Sequence, residues 1–517
     1  MPLNVYGDTG YGSVAAARLL SESLSGSETV PLLIRDPEPE PQKWQPMSKQ
    51  ELEIVAGGSG WRKLRCYLVL FFWLGWLGML GASVAIIVQS PRPVAPSLLW
   101  WQRALFYRIH PALFKDAQNE VRSGIDAVRE RLPYFKSLGV GAVILEGLFN
   151  RAASPPDLRE IDVEVGTMPQ IQQLFLESHR GGIKVMLDLC ELDLFGPLRS
   201  AGNGSVMPSD VSGSVQNALR FWLELGAAGF GICDTDTAYS AQTLTDWRVV
   251  IKEFSTSEFR RIVVVKQTGE FLPALNIFGT STNHSLVEIV MRSLLPHAHH
   301  LLSRQEVAVA MERHLSTPHS GIWPIWMMGG ETTPVLHKML LVLMMTLPGS
   351  PVVKYGEEIV PLTNVSAEIS SAHEADKTNG QGDSIGNMKQ SALALFNSLS
   401  QSRLREESFL YGTFTFLTLN YSSSSLSSST NATQAPQKPP VLAFVRSWGC
   451  VHLLVLLNLG PDIQFLDSAW APSLPTAGVF VTSTGMDRLG ATSLETLRLQ
   501  PEEAVVIKLF ESGSYSP

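Results

Sequence analysis

The chain contains little cysteine. Its 517 residues include four, Cys66, Cys190, Cys233 and Cys450. A small scaffold held together by disulfides is therefore excluded, and the length allows one large domain, one small domain and a tail. Three of the four cysteines follow residue 88, so at least one of these three has no partner among the other two.

The chain also lacks an excess of positive charge. Its formal net charge is −8 at pH 7, which gives no argument for nucleic-acid binding. The histidine cluster HAHH, with His297, His299 and His300, has no neighbouring cysteine or acid at metal-ligand spacing. We therefore expect no metal site, no cofactor and no nucleic-acid partner.

Residues 66–88 contain neither charge nor proline, and read CYLVLFFWLGWLGMLGASVAIIV. A helix of this length measures about 34 Å, enough to cross a hydrocarbon core of about 30 Å. A buried core helix rarely runs this far without a polar residue. A cleaved signal peptide would have a shorter apolar core and fewer preceding residues. The segment is predicted to be a transmembrane signal-anchor helix.

The flanking charges predict its orientation. Arg62, Lys63 and Arg65 precede the span, and only Arg92 follows closely. The positive-inside rule then places residues 1–65 in the cytosol and the remainder outside the cell. Five N-x-[ST] sequons that lack proline at x follow the span and are predicted glycosylation sites, and they are Asn203, Asn283, Asn364, Asn420 and Asn431.

Composition divides the chain into successive regions. The polar tail, 1–65, is predicted to be largely disordered, and its Glu28, Leu32 and Leu33 fit an acidic dileucine sorting signal. A proline-rich stalk occupies 89–99. Residues 100–410 alternate apolar strand-like runs with helical patterns, which predicts an α/β (β/α)8 barrel. Residues 411–517 change to strands and turns, which predicts a C-terminal antiparallel β domain.

Two segments resemble the α-amylase/α-glucosidase barrels. They are 101–149, beginning WQRALFYRIHPALF, and 347–359, LPGSPVVKYGEEI. The resemblance implies a barrel whose catalytic members use two carboxylates, one as nucleophile and one as acid/base. The fourth-strand motif is here GFGIC, so Gly231 stands at the family's arginine position and Cys233 at the nucleophile position.

The other catalytic motifs are altered as well. The family's late His-Asp pair is replaced by Glu331 and Thr332, while Asp188 alone survives from the third-strand motif. Glu270 lies a few residues beyond the position of the acid/base. Without a nucleophile, covalent glycosyl transfer has no route, so we expect no catalytic residue.

Three further sets of residues have interpretations other than catalysis. Glu357 and Glu358 match the scaffold motif of the family, which favours a structural role over a catalytic one. Cys190 and Cys233 end neighbouring predicted strands, and buried thiols are favoured over a disulfide. Within the span, a stripe of small residues can let a partner helix approach closely, and it comprises Gly75, Gly78, Ala82 and Ala85.

The whole arrangement resembles the heavy subunits of heteromeric amino-acid transporters, in particular the 4F2 heavy-chain branch. The resemblance centres on 49–92 and extends through the barrel. It implies a non-catalytic ancillary subunit that stabilises an L-type amino-acid exchanger light subunit at the plasma membrane, with integrin as a further partner. The family's juxtamembrane cysteine corresponds to Pro93, so the heterodimer is expected to lack the intersubunit disulfide. A type II ectoglycosidase and a lone adhesion or signalling receptor remain as alternatives.

Overall fold

The computed structural model describes residues 47–89, 95–114, 124–196, 209–277, 280–281, 286–296, 300–316, 322–359, 382–417, 441–465 and 474–510. The chain divides into two compact units, residues 1–91 and 92–517.

The first unit contains two helices, α1 (Lys49–Ala56) and α2 (Ser59–Gln89). Ser48 starts α1 with a capping box, because its hydroxyl accepts from the Glu51 backbone and the Glu51 carboxylate accepts from the Ser48 backbone. Helix α2 has 31 residues, so it extends beyond both ends of the predicted span. In the part of the chain that the structure covers, it is the one helix long and apolar enough to cross a membrane.

The second unit contains a closed barrel of eight parallel strands. Each strand pairs with its neighbour in sequence, and the last pairs with the first. Most residues of the strands are buried, as expected for a parallel sheet covered on both faces. The strands are β1 (Leu105–Ile109), β2 (Val140–Leu145), β3 (Lys184–Asp188), β4 (Gly229–Cys233), β5 (Ile262–Lys266), β6 (Ile289–Ser293), β7 (Trp323–Met327) and β8 (Ser350–Lys354).

Alternate strand residues form two separate apolar cores. Phe106, Met186 and Val264 belong to a cluster that fills the barrel interior. Tyr107, Val185 and Val263, one position away, belong to the larger cluster beneath the helices.

The helices are α3 (Trp100–Arg103), α4 (Gly124–Glu130), α5 (Leu132–Ser137), α6 (Met168–Gly181), α7 (Ser209–Leu225), α8 (Ala241–Glu253), α9 (Arg304–Ser316), α10 (Pro334–Thr346), α11 (Gly382–Arg405) and α12 (Glu407–Tyr411).

A six-stranded antiparallel sheet follows the barrel. Its strands are β9 (Thr413–Leu417), β10 (Val441–Trp448), β11 (Val451–Asn458), β12 (Ala477–Ser483), β13 (Ala491–Ser493) and β14 (Ala504–Phe510). Their spatial order is β9-β10-β11-β14-β12-β13. The prediction of a (β/α)8 barrel followed by an antiparallel β domain is therefore confirmed.

A buried arginine joins the barrel to this sheet, and a second one joins two helices beside it. Arg446 of β10 donates to the carbonyl oxygens of Thr346, Phe409 and Gly412 at 2.8–3.0 Å. Arg403 of α11 donates to the carbonyl oxygen of Met345 at 2.9 Å and to that of Gly349. The last carbonyls of a helix lack partners within that helix, so both cations satisfy the end of α10.

Burial lowers the pKa of Arg403 to about 10 and that of Arg446, which also lies near Arg403, to about 9. Both groups therefore remain charged at neutral pH. A charge removed from water is tolerated only when hydrogen bonds replace its hydration, which the carbonyl groups provide here. The junction therefore depends on these bonds.

The YGEEI motif after β8 forms a second polar junction. Glu358 accepts hydrogen bonds from the hydroxyls of Tyr107, at 2.8 Å, and Tyr134, at 3.2 Å. Glu357 accepts from the Lys354 backbone at 2.9 Å, and its carbonyl oxygen contacts the His337 ring at 2.6 Å. These bonds connect β1, α5, β8 and α10, which is a structural role for the motif.

Replacement of Arg446 tests the first junction. Arg446→Met should lower the free energy of unfolding by about 3 kcal/mol or more, because it leaves three carbonyl groups without their donor. The measurement is denaturant unfolding of the full chain in detergent. Arg405→Met, at an exposed position of α11, is the matched control. Equal unfolding midpoints for the two variants would contradict this role.

Replacement of Glu357 tests the second junction through pH. Burial raises the pKa of Glu357 from 4.5 to about 7. The stability contributed by its protonated form is complete below pH 4.5 and is lost as the pH rises towards about 7. Because glutamine does not ionise, the stability of wild type relative to Glu357→Gln should fall by about 3 kcal/mol over this interval.

The measurement is a series of unfolding curves from acid to neutral pH. Glu407→Gln, at an exposed position of α12, is the control and should show no such trend relative to wild type. A stability difference between wild type and Glu357→Gln that stays constant with pH would show that this carboxyl does not titrate as described.

Candidate functional site

The candidate site lies at the carboxyl ends of the barrel strands, where barrels of this class carry their functional groups. Arg108 of β1 forms an ion pair with Glu146, which follows β2. Their side chains are 10% and 11% exposed. The third guanidinium nitrogen of Arg108, Nη1, lies 3.5 Å from the sulfur of Met327 at the end of β7. The centre of the mouth thus contains an ion pair that belongs to the protein itself.

A small cavity lies beside this ion pair. Its charged lining groups are Arg108, Asp188 and Lys266, and the other walls are mainly apolar. Burial and the nearby Glu146 raise the pKa of Asp188 to about 6, against the opposing effects of Arg108 and Lys266. The lining residues are Arg108, Ile144, Met186, Asp188, Gly231, Ile232, Val264, Lys266 and Met291.

Gly231 determines the shape of the cavity wall. A Cβ atom at this position would lie 3.1 Å from a carboxylate oxygen of Asp188. A longer side chain, such as the arginine that the glycosidase resemblance places here, would require Asp188 to move. Asp188 instead accepts a hydrogen bond from the Cys190 backbone at 3.1 Å. Asp188, the acid that remains from the third-strand motif, is thus oriented by the backbone at the end of β3.

The two cysteines at the mouth form a disulfide. Cys190 and Cys233 have Cα atoms 4.8 Å apart, which lies in the usual range. The expectation that buried thiols are favoured over a pair is therefore wrong. Asp188 pairs with Gly231 in the β3–β4 register, so the residues two positions later leave the barrel side by side. Cys233, which the glycosidase resemblance aligns with the nucleophile, is therefore bonded through its sulfur to Cys190.

The other acids that the family motifs point to lie outside the cavity lining. Asp234 accepts from the backbone nitrogen and hydroxyl of Thr268, at 3.0 and 2.5 Å. Glu270 is exposed and pairs with Arg313 of α9. Glu331 is also exposed, whereas Thr332 is buried. The cavity lining includes none of Asp234, Glu270, Glu331 and Thr332.

Sequence reasoning missed Arg108, Glu146 and Lys266. Each is a charged residue at the end of an apolar strand run, in FYRI, VILEG and VVVKQ respectively. A charge at the carboxyl end of a predicted barrel strand is a usable signal, because those ends meet at one mouth. The pairing of Arg108 with Glu146 then follows from the adjacency of β1 and β2.

The other residues singled out in the sequence lie in α2, in the described part of the histidine cluster, or outside the described residues. Gly75, Gly78, Ala82 and Ala85 lie in α2, with exposed side-chain positions. His300 hydrogen-bonds to Glu306 at 3.1 Å. The predicted sorting and glycosylation positions lie outside the described residues, and they are Glu28, Leu32, Leu33, Asn203, Asn283, Asn364, Asn420 and Asn431. His297 and His299 of the histidine cluster also lie outside them.

Family models match two successive segments. The model for the solute carrier family 3 member 2 N-terminus matches residues 34–107, and that for the α-amylase catalytic domain matches residues 108–191. Solved structures agree in fold. Trehalose-6-phosphate hydrolase from Bacillus licheniformis has a TM-score of 0.55 at 15% identity, covering 80% of this chain and 100% of that one. A maltogenic α-amylase from Thermotoga neapolitana has a TM-score of 0.55 at 12% identity, with 80% and 99% coverage.

Curated relatives match over a greater length than either family model. Amino acid transporter heavy chain SLC3A2 of Oryctolagus cuniculus is 28% identical over 503 residues, covering 90% of this chain and 88% of the relative. Amino acid transporter heavy chain SLC3A1 of Rattus norvegicus is 22% identical over 465 residues, covering 68% of each chain. The chain is thus a homologue of the amino acid transporter heavy chains.

Proposed function

We propose that this chain is a non-catalytic ancillary subunit that stabilises an L-type amino-acid exchanger light subunit and brings it to the plasma membrane. The observation that carries the proposal is the similarity to amino acid transporter heavy chains over 90% of this chain. One helix cannot enclose a polar route through a membrane, so the transport pathway belongs to the partner. The chain supplies the anchor and the folded domain.

The proposed topology is type II. The basic residues before the apolar span support a cytosolic N-terminus, and the sequons after it support an extracellular barrel. The acidic dileucine pattern of the tail fits a protein whose surface level is adjusted by sorting.

The mouth of the barrel supports the absence of catalysis. Retaining glycosidases require two carboxyl groups about 5–5.5 Å apart, one of them a nucleophile. Here Cys233 stands at the nucleophile position and is bonded to Cys190. Glu146 forms an ion pair with Arg108, and Glu270 forms an ion pair with Arg313. Asp188 lines the cavity but accepts a hydrogen bond from the Cys190 backbone at 3.1 Å.

The small residues of α2 are the proposed contact with the light subunit. Gly75, Gly78, Ala82 and Ala85 recur every three or four positions, so they share one side of the helix. A Cβ atom added at Gly75 or Gly78 would meet nothing within 4 Å in this chain. Close helix approach in lipid gains packing energy that larger side chains would prevent.

Co-purification in mild detergent tests both the partner and the stripe. Mass spectrometry of the captured complex should identify a multi-span amino-acid exchanger. Gly78→Leu should lower its recovery about fivefold, equivalent to about 1 kcal/mol of packing, while membrane insertion stays intact. Val84→Leu, away from the stripe, is the matched control. Recovery of the exchanger by Gly78→Leu at the Val84→Leu level would remove the stripe from the interface, and failure to recover any exchanger would contradict the function.

Hydrolysis of an α-glucoside tests the enzymatic alternative. The purified full chain should release product at the background rate, equal to that of Cys233→Ala and Glu270→Gln, because no carboxylate occupies the nucleophile position. The measurement is release of a chromogenic leaving group. Turnover in wild type that disappears in Glu270→Gln would revive the glycosidase alternative.

A non-reducing gel tests the predicted absence of an intersubunit disulfide. Pro93 replaces the family's bridging cysteine, and Cys190 is paired with Cys233. The complex from alkylated membranes should therefore separate into its subunits in denaturing detergent without reductant. Cys450 is free and exposed, so Cys450→Ser is the matched variant. A heavy–light band that collapses on adding reductant would overturn the prediction, and its loss in Cys450→Ser would identify the bridging residue.

A further inference from the structure

One cluster at the mouth has a composition that neither transport nor glycoside chemistry uses. The sulfur atoms of Cys190 and Cys233 and a carboxylate oxygen of Asp236 all lie within 4.8 Å of one another. Within the described ranges, this is the one group of three or more cysteine, histidine or acidic residues that is close enough to hold a metal ion.

Backbone contacts fix the three groups. The β3–β4 pairing sets the two cysteines side by side at the strand ends. The Asp236 carboxylate accepts from the backbone nitrogens of Cys233, at 2.6 Å, and Glu191, at 3.2 Å. Hydrogen bonds of this kind orient a ligating carboxylate. The cysteines are buried and Asp236 is half-buried, so the cluster can be approached from the Asp236 side.

The oxidation state decides what this cluster can bind. In the disulfide each sulfur is bonded to the other, whereas the thiolate is the metal-binding form. Two small-molecule thiols reduce the disulfide to two cysteine thiols and become a disulfide themselves. The cysteine thiols then release two protons when their sulfurs bind a divalent cation. The reduced form exists in every newly made chain before the disulfide is formed.

We propose that reduced Cys190 and Cys233, together with Asp236, form a Zn²⁺ site that excludes the disulfide. Two thiolates and one carboxylate are ligands that Zn²⁺ accepts in tetrahedral sites, with water at the fourth position. Thiolate ligands select Zn²⁺ over the hard cations Mg²⁺ and Ca²⁺. The same two sulfurs therefore cross-link the strands when oxidised and coordinate a metal when reduced.

Metal titration of the full chain in detergent tests the proposal. Cys66→Ser and Cys450→Ser provide a background without the two exposed thiols. The chain is reduced with a phosphine, freed of reductant without air, and titrated with Zn²⁺ against a chromogenic chelator. Cd²⁺ in place of Zn²⁺ should give a thiolate charge-transfer band. One metal ion should bind per chain, and oxidation of the two thiols by an added small-molecule disulfide, which is reduced to two thiols, should release it.

Variants identify the ligands. Cys190→Ser should abolish the Cd²⁺ band, and Asp236→Asn should weaken Zn²⁺ binding at least about tenfold. Asp234→Asn is the matched control, because that carboxylate bonds to Thr268 and lies outside the cluster. Equal weakening by the Asp234 and Asp236 variants, or no effect of either, would overturn the ligand set.

Circular dichroism keeps the test decisive if reduction unfolds the chain. In that case Zn²⁺ should restore the folded signal and raise the melting temperature, because an ion that binds only the folded form stabilises it. Absence of saturable binding to a folded reduced chain, or absence of refolding by Zn²⁺ in an unfolded one, would overturn the proposal.

Discussion

The second unit depends on how the end of α10 is satisfied. Met345 and Thr346 present carbonyl groups that no later turn of the helix can reach, at the place where the barrel meets the antiparallel sheet. Arg403 and Arg446 occupy these carbonyls from two different elements, α11 and β10. The sheet is thereby joined to the barrel by hydrogen bonds that do not involve the strand carboxyl ends.

The mouth of this barrel contains charged groups that are paired within the protein. A carboxylate that serves catalysis is kept ready for a substrate, and its pKa is matched to that task. Glu146 is instead paired with Arg108 inside the protein. Removing one member of a buried ion pair is strongly destabilising, whereas the intact pair gains little. The pair thus makes the mouth self-contained, and the disulfide between Cys190 and Cys233 adds a covalent connection beside it.

The strands could be predicted from the sequence because a buried parallel strand is a short apolar run. The run at 229–233 coincides with β4, and that at 261–267 exceeds β5 by one residue at each end. Contacts that depend on register between strands could not be predicted in this way. The disulfide of Cys190 and Cys233 is such a contact, since its cause is the pairing of β3 with β4.

The ends of α2 differ from the predicted span for another reason. Hydropathy marks only the apolar part of a helix, whereas the hydrogen bonds of the helix continue into the flanking residues. The helix consequently begins at Ser59, before the basic residues that set the predicted orientation.

The features of the two units lead to one interpretation of how such a chain acts. In the described part of the chain, a lone apolar helix offers no polar path across a membrane, and the mouth of the barrel contains an ion pair internal to the protein. What the chain can still offer a partner is surface. We therefore expect specificity for a partner to come from packing and surface complementarity. Such interactions tolerate low sequence identity, provided that the scaffold positions are kept. In this chain the junctions at Arg446 and Glu358 connect the elements of that scaffold.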